Sequence, residues 1–429
     1  MRYLLRLPAI LLASAVALLS GCSSGDDNND ARVRLLNVST GYPALDFYVT
    51  EEDADTDDLK SSNVVFGTLG DYVSVPSGTY DIKYKRAGVG STLLTNGDQQ
   101  LADDSNATYV FSGPVGRFAA TAIPEDIEEP DDDGISIIRS LNASEAGGVD
   151  IYLTDPDLDL NDTAPVFAGT DGSTTYESGT YRLRITGPND ISDLRLDVPS
   201  ITLDENTVAT LILTETSGGV LVDALLLPQQ GSLTTFKNTK ARIRGAVGVL
   251  PGSTATLGVA GTQLFINRGV GFISDYAEVE AGSVAVTLGV GGTPVTVANQ
   301  TLVAGADYTL LLWNDASGVR VTLVSDDNHL PTNKGKTKIR LLNGYSTQSD
   351  SLNLLVNFGP VTEGTAVGAA SIYAEVDSGT DQRIDVESAV TTNDLYTNES
   401  ADFDQDAVYT LFITAASGGN AQAALRQDR

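Results

Sequence analysis

Four segments of roughly a hundred residues each repeat the same order of sequence patterns, and this repeat most constrains what the chain can fold into. Every repeat opens with a segment in which apolar and polar residues alternate, which is the pattern of a half-buried β-strand. An arginine occupies the matching position of each opening segment: Arg34, Arg139, Arg244 and Arg340. A second apolar strand follows in each repeat, so the sequence predicts several short strands per unit.

Two further patterns recur later in each repeat. The first is a turn whose glycine we expect to adopt a positive φ, and the four glycines are Gly78, Gly179, Gly282 and Gly379. The second is a strand entered through a polar corner, with a tyrosine at Tyr109, Tyr308 and Tyr409 and Ala209 in the second repeat. A tyrosine here is typical of the tyrosine corner of immunoglobulin-like sandwiches, although an ordinary half-buried strand tyrosine would produce the same pattern.

The length of the repeat indicates the fold class. It matches an immunoglobulin-like domain and exceeds the roughly 20 to 50 residues of solenoid repeats. We therefore predict an all-β chain of tandem immunoglobulin-like β-sandwich domains, separated by polar linkers. The predicted divisions are a lipoprotein signal peptide at 1–21, an acylated cysteine and flexible tether at 22–30, and β-sandwich repeats at 31–124, 134–230, 239–326 and 336–429.

The N-terminus has the pattern of an export signal. A positively charged start precedes an apolar run and then small residues, which is the order found in secretory signal peptides. The segment Leu19-Ser20-Gly21-Cys22 resembles the lipobox of bacterial lipoproteins, in which the signal is cut before the cysteine and the sulfur carries a diacylglycerol. This resemblance implies lipidation of Cys22 and attachment to the outer membrane, facing either the periplasm or the cell surface.

The charge and the cysteine count exclude several classes of protein. Asp and Glu number 57 against 26 Lys and Arg, a formal net charge of -31, which would repel the phosphates of nucleic acids. We therefore expect no nucleic-acid partner. A single cysteine excludes an intramolecular disulfide and a cysteine-rich metal site.

No pattern in the sequence indicates catalytic chemistry. The single histidine, His329, lies in a linker, where we expect it to be solvated and unable to serve a catalytic triad. Calcium is the cofactor hypothesis that the sequence leaves open, because Asp155, Asp157 and Asp159 place oxygen ligands at alternating positions. Leu160 stands where an EF-hand would need glycine, so we favour a charged, solvated loop. The prediction is no enzyme activity, no catalytic residues and no firm metal site.

The repeats resemble the bacterial domain of unknown function 4397. The segments FGTLGDYVSVPSGTYDIKYKRAG and FISDYAEVEAGSVAVTLGV carry the resemblance most clearly, and it extends over most of the chain as four tandem copies. The family's recurring turn has a tyrosine six residues before the glycine, kept here as Tyr72, Tyr276 and Tyr373, whereas the second repeat has Ser173. The resemblance implies an exported, surface-associated β-sandwich protein and brings no reaction or catalytic residues.

Together these patterns predict a non-enzymatic, lipid-anchored protein of the cell envelope that acts as a structural spacer or binding stalk. Its membrane contact would be the lipid anchor, and its partner would be an envelope protein or a polysaccharide. The alternative is a surface adhesin or carbohydrate-binding protein, stiffened by calcium if the acidic loops bind it. Solvent-facing aromatic residues gathered on one surface would favour that alternative. A weaker hypothesis is an enzyme acting on envelope polymers.

Overall fold

The computed structural model describes residues 30–52, 54–169 and 171–429, and the signal peptide and Cys22 lie outside these ranges. Within them the chain is all-β apart from one short 3-10 helix, and its sheets pack as sandwiches, so the predicted fold class is confirmed. No helix among the described residues is long and apolar enough to cross a membrane.

Sandwich 1 spans residues 31–124. Its strands are β1 (Ala31–Val38), β2 (Ala44–Glu51), β3 (Leu59–Val65), β4 (Thr68–Leu69), β5 (Val73–Val75), β6 (Gly78–Arg86), β7 (Thr92–Leu101), β8 (Asn106–Ser112) and β9 (Ala119–Pro124). One sheet has the order β4-β1-β8-β9, with β5 also paired to β1, and the other has the order β3-β2-β6-β7.

Sandwich 2 spans residues 135–236. Its strands are β10 (Ile135–Asn142), β11 (Asp150–Thr154), β12 (Phe167–Ala168), β13 (Gly172–Glu177), β14 (Gly179–Gly187), β15 (Asp190–Leu203), β16 (Thr207–Glu215), β17 (Val222–Pro228) and β18 (Thr234–Phe236), with a 3-10 helix at Leu160–Asp162. The sheets are β13-β10-β16-β17-β18 and β12-β11-β14-β15. Strand β18 thus extends the first sheet beyond residue 230, where the sequence placed the end of this unit.

Sandwich 3 spans residues 240–326. Its strands are β19 (Lys240–Gly248), β20 (Thr254–Val259), β21 (Thr262–Gly269), β22 (Ala277–Glu280), β23 (Gly282–Val284), β24 (Val286–Val290), β25 (Thr293–Val295), β26 (Gln300–Leu302), β27 (Asp307–Asp315) and β28 (Gly318–Asp326). The two larger sheets are β22-β19-β27-β28 and β21-β20-β24-β25, and β23 pairs with β26.

Sandwich 4 spans residues 336–427. Its strands are β29 (Lys336–Gly344), β30 (Leu352–Val356), β31 (Gly359–Thr365), β32 (Ala369–Ala370), β33 (Ala374–Asp377), β34 (Gly379–Ser388), β35 (Asp394–Phe403), β36 (Ala407–Ala415) and β37 (Ala421–Gln427). The sheets are β32-β29-β36-β37, with β33 also paired to β29, and β31-β30-β34-β35.

All four sandwiches share one strand order. We call the sheet that holds the opening strand (β1, β10, β19 or β29) the inner sheet, and the sheet that holds the second strand the outer sheet. Each opening strand pairs in parallel with a late strand of its inner sheet, as β1 pairs with β8, while the other pairs are antiparallel. Immunoglobulin domains place their first two strands in the same sheet, so the strand order here departs from theirs.

The inner sheets of sandwiches 1 and 2 pack face to face, and so do those of sandwiches 3 and 4. Interface 1–2 buries an apolar cluster made of Leu36, Val38, Val110, Ile123, Ile212, Leu225 and Leu227. Interface 3–4 buries Ala246, Leu311, Val324, Leu342 and Phe412. Each sandwich also has its own core between its two sheets.

This pairing corrects the expectation of half-buried opening strands. Strands β1, β19 and β29 are buried along nearly their whole length, because the face that a lone sandwich would expose is covered by the partner. Only β10 keeps an alternating pattern. The polar residues of the alternation, including the repeated arginines, therefore lie at the interfaces between sandwiches.

The two pairs also contact each other. The Arg117 guanidinium of sandwich 1 lies 2.6 Å from Glu145 of sandwich 2 and 2.7 Å from Asp406 of sandwich 4. The Gly218 amide donates to the Gly305 carbonyl over 2.7 Å between sandwiches 2 and 3. The four sandwiches therefore form one packed body.

Candidate functional site

A cluster of arginine, threonine and tyrosine is repeated at the interfaces. Each opening-strand arginine lies opposite a threonine of the parallel neighbour, the pairs being Arg34 with Thr108, Arg139 with Thr210, Arg244 with Thr309 and Arg340 with Thr410. In three of these pairs Nε donates to the threonine hydroxyl, over 2.8, 2.9 and 3.1 Å for Arg34, Arg244 and Arg340. The shared strand order thus fixes one polar pair per sandwich.

A tyrosine ring covers the guanidinium in the same three sandwiches. Tyr72, Tyr276 and Tyr373 lie 4.2, 4.5 and 4.6 Å from Arg34, Arg244 and Arg340 respectively. A cation over an aromatic face is attracted by the ring quadrupole, and burial strengthens the attraction. Burial also raises the pKa of the Tyr276 hydroxyl well above its ordinary value, so it remains a hydrogen-bond donor. The tyrosines of the family pattern are therefore interface residues.

At interface 3–4 the arginines pair across the two sandwiches. Arg244 reaches Asp428, the residue that follows β37 of sandwich 4, with 2.5 Å between Nη1 and Oδ1. Arg340 reaches Asp326 of sandwich 3, with 2.5 Å between Nη2 and Oδ1. Tyr276 donates to the other oxygen of Asp326. Burial alone would raise the pKa of Asp326, but the guanidinium groups of Arg340 and Arg244 hold it below its usual range.

At interface 1–2 the pairing stays within sandwich 1. Arg34 binds Glu125, the residue that follows β9 of the same sandwich, with 2.8 Å between Nη2 and Oε1, and Glu125 has no exposed surface. The hydroxyls of Thr108 and Tyr72 also donate to Glu125. The contact that Arg34 makes with sandwich 2 is to the backbone oxygen of Gly231.

A cleft of about 790 Å³, which we call cleft A, opens where sandwich 1 meets sandwich 4 and the linker before it. Its walls combine polar and apolar side chains, among them Val115, Asp327, His329, Lys338, Ile372 and Tyr373. Ile372 is 82% exposed at its rim, whereas the buried Tyr373 hydroxyl has no hydrogen-bond partner among the described residues. Cleft A therefore combines an apolar rim with a buried hydroxyl that has no partner among the described residues.

His329 lies in cleft A rather than in open solvent, which corrects the expectation of a solvated linker residue. Its side chain is 20% exposed, with Nδ1 2.7 Å from Asp327 Oδ1 and Nε2 3.1 Å from the Thr216 carbonyl. Both contacts are acceptors, so the ring satisfies both only when each nitrogen carries a proton. Burial opposes that charge, but Asp327 and the negative Glu215 raise the pKa of His329 above its ordinary value.

A second cleft of about 810 Å³, cleft B, lies where sandwiches 2, 3 and 4 meet. Arg242, Tyr276 and Glu278 line it, at positions that correspond to Lys338, Tyr373 and Glu375 of cleft A. Burial, with the charge of Asp193 nearby, raises the pKa of Glu278 to about 7. The two clefts are therefore related by the internal repeat but differ in their side chains.

The three corner tyrosines make different contacts, and the four turn glycines differ in backbone conformation. Tyr308 and Tyr409 accept hydrogen bonds from backbone amides upstream, at Val303 and Asp404, while Tyr109 packs 5.9 Å from the Phe47 ring. Three of the four predicted turn glycines have a positive φ: Gly179 (152°), Gly282 (106°) and Gly379 (150°). Gly78 departs from the expectation, because it begins strand β6 without a left-handed backbone.

The acidic loop proposed for calcium does not gather its carboxylates. Asp159 instead caps the 3-10 helix, where Oδ1 accepts from the Asn161 amide over 3.0 Å. Across residues 30–52, 54–169 and 171–429, no group of three or more His, Cys, Asp or Glu side chains could hold a metal ion. Asp155, Asp157 and Asp159 therefore do not form such a group.

The interface carboxylates Glu125, Asp326 and Asp428 were not identified from the sequence. In each case the interface threonine pairs with a residue of the next strand, and the carboxylate lies two residues after that residue. For example, Thr309 pairs with Val324, and the carboxylate is Asp326. This regularity appears only once the strand register is known, because acidic residues are abundant throughout the chain.

Comparisons with solved structures found weak similarities to several binding proteins. CBMbc (family CBM26) of Eubacterium rectale, solved with maltoheptaose, is 13% identical, with 48% of this chain and 96% of that chain covered and a TM-score of 0.16. A candidate cell adhesion protein of Bacteroides uniformis is 13% identical, with 46% and 99% covered and a TM-score of 0.20. A candidate adhesin of Bacteroides ovatus is 9% identical, with 69% and 95% covered and a TM-score of 0.15. At these TM-scores the similarities do not bear on function.

No curated protein matches this chain in sequence. The family model of the domain of unknown function DUF4397 matches residues 31–152 and 246–347, two segments that together cover just over half of the chain. The chain therefore belongs to the DUF4397 family.

Proposed function

We propose that this chain is a non-enzymatic, lipid-anchored binding protein of the cell envelope whose four sandwiches form one compact head. The observation that carries the proposal is cleft A, which exists only where separate parts of the chain meet. A concave site with apolar walls and a few polar groups is the usual form of a ligand site. The anchor would be the lipid on Cys22, and the ligand an envelope protein or polysaccharide.

The contacts between sandwiches favour a compact head over an extended spacer. Sandwich 1 contacts sandwich 2 through its inner sheet and sandwich 4 through Arg117. Since the first and last units touch, the array would not hold a partner far from the membrane. A spacer role would need these contacts to open.

The surroundings of His329 support a non-enzymatic role. Its two ring nitrogens face a carboxylate and a carbonyl, so neither is free to accept a proton from a nucleophile. General-base catalysis by this residue would require both contacts to break.

A carbohydrate-binding platform of stacked aromatic rings has little support. Among the residues that the structure describes, Phe66 and Phe358 are the aromatic side chains classed as exposed, at 38% and 73%. They belong to different sandwiches, 1 and 4. If the ligand is a polysaccharide, we propose that cleft A and not an aromatic face receives it.

The anchor is tested with Cys22→Ala. We expect the wild-type chain to sediment with membranes and to incorporate radioactive palmitate, and the variant to lose both properties. Retention of the label in the variant would contradict lipidation at this cysteine.

The cleft is tested with Ile372→Asp, using Val390→Asp as a matched control. Both side chains are strongly exposed on sandwich 4, at 82% and 72%, but Ile372 borders cleft A and Val390 does not. The probes are a glycan array and purified peptidoglycan. We expect one probe to be retained by the wild type and the control and lost by Ile372→Asp. Equal binding by the two variants, or no binding by the wild type, would reject cleft A as a site for these polymers.

A further inference from the structure

Sandwich 2 lacks two of the groups that complete the arginine cluster elsewhere. Arg139 lies opposite Thr210 on one side and opposite Ser173 on the other, where the other sandwiches have tyrosine. Thr210 pairs with Leu227, so the residue at the carboxylate position is Gln229. The arginine and the threonine are therefore kept while the aromatic ring and the negative charge are absent.

Two buried polar atoms are left without partners as a result. Arg139 Nε and Thr210 Oγ1 have no hydrogen-bond partner among the described residues, and Thr210 is only 2% exposed. In the other three sandwiches, the equivalent arginine Nε donates a hydrogen bond to the equivalent threonine hydroxyl. Gln229 does not replace the carboxylate, because its amide is held by the backbone of Ile127. Buried polar atoms are rarely left unpaired, so this pair needs an explanation.

The charges at the two interfaces point to a missing anion. Interface 3–4 holds two arginines, Arg244 and Arg340, against two aspartates. Interface 1–2 holds Arg34 and Arg139 against one carboxylate, Glu125, which is bound by Arg34. Of the four repeated arginines, Arg139 is therefore the one without a carboxylate among the described residues, and its Nη1 donates instead to the Pro124 carbonyl oxygen over 2.7 Å.

We propose that Arg139 and Thr210 bind the carboxylate of a small ligand, which takes the position that aspartate or glutamate holds in the other sandwiches. Arg139 Nε and Thr210 Oγ1 are buried, but the neighbouring Ser173 is exposed where the other sandwiches place a tyrosine, so the ligand would enter past this smaller side chain. Guanidinium and hydroxyl donors suit a carboxylate because both can bond to its two oxygens. This site is separate from cleft A and does not depend on the proposed function.

The test is isothermal titration of the full-length chain, in detergent solution, with millimolar sodium acetate as the probe. We expect one acetate per chain, because the corresponding arginines of the other three sandwiches already bind carboxylates of the chain itself. Arg139→Gln should weaken binding about tenfold or more, the effect of losing a charged hydrogen bond. Arg182→Gln is the matched control, since this arginine of the same sandwich pairs with Asp197 on the surface. The control variant should bind acetate as the wild type does.

Two further variants keep the proposal testable if Arg139→Gln does not fold. Thr210→Val removes only an unpartnered hydroxyl, so it should fold and bind acetate several-fold more weakly. Gln229→Glu supplies a carboxylate from the chain and should abolish binding. The absence of acetate binding by the wild type, or binding that is unchanged in both Arg139→Gln and Thr210→Val, would overturn the proposal.

Discussion

Interfaces 1–2 and 3–4 join sandwiches of the same strand order, yet they are stabilised differently. Interface 1–2 depends on a larger apolar cluster and keeps its ion pair within sandwich 1. Interface 3–4 has fewer apolar side chains and two ion pairs that cross between the sandwiches. The same backbone arrangement can thus be held together by either type of contact.

The two interfaces also differ at the residue four positions after each arginine. At interface 3–4 these residues are Gly248 and Gly344, and a Cβ on Gly248 would lie 2.8 Å from the Gly344 carbonyl oxygen. At interface 1–2 they are Val38, a member of the apolar cluster, and Ala143, which packs against that cluster. The glycine pair lets the opening strands approach closely enough for each arginine to reach the opposite sandwich. At interface 1–2 the corresponding position of sandwich 2 is Gln229 instead of a carboxylate, so Arg34 binds Glu125.

The largest effect should follow from Asp326→Ala. This change leaves Arg340 buried without its carboxylate and removes the acceptor for Tyr276, so we expect a loss of about 3 to 5 kcal/mol in the free energy of unfolding. Urea unfolding measures it. Asp315→Ala, which removes an exposed pair with Arg320, should cost far less. A small loss for Asp326→Ala would show that interface 3–4 does not depend on its ion pairs.

Gly248→Val tests the close approach of the two strands. The new side chain would collide with Gly344, so we expect a loss of about 1 to 3 kcal/mol, and the cross-sandwich pair of Arg244 should lengthen. Unfolding and a structure of the variant measure the two effects. Ala143→Val, at the matching place of interface 1–2, should be better tolerated. Equal costs for the two variants would contradict the role of the glycine pair.

Arg139→Met should change stability by less than about 1 kcal/mol when no small carboxylate is present. Among the residues that the structure describes Arg139 has no carboxylate partner, so removing its charge also removes a desolvation cost. Thermal unfolding in a buffer free of organic acids measures the difference. Arg340→Met should instead cost about as much as Asp326→Ala. A comparable loss for both arginines would remove the distinction between the interfaces.

The smallest expected effect on stability comes from His329, which contacts the Thr216 carbonyl of sandwich 2 from the linker before sandwich 4. Its pKa is raised by Asp327 and Glu215, while Lys338 opposes its charge. A raised pKa means that the stabilisation is fully present below the unfolded value and is lost as the pH rises through the folded value. NMR titration of this single histidine should give a pKa above its ordinary value, and His329→Gln should flatten stability near neutral pH. A pKa below the ordinary value would contradict a ring that donates hydrogen bonds from both nitrogens.

Several features of the candidate sites were visible in the sequence, but their roles were not. The matching positions of Arg34, Arg244 and Arg340, and of the family tyrosines, follow from the repeat alone. Their contact was not predictable, because it depends on which strand pairs with β1, β19 and β29. Ser173 was recognised as a departure, and only the register showed that it lies opposite Arg139.

The sequence by itself determined the all-β class and the positions of the opening arginines, because alternation and turn residues act over a few neighbouring positions. Tertiary structure decided that the sandwiches pack in pairs, that the arginines bind across interface 3–4 and that His329 is partly buried. These outcomes depend on contacts between residues far apart in the chain. A glycine or a valine four residues after an arginine changes such contacts without changing the local strand pattern.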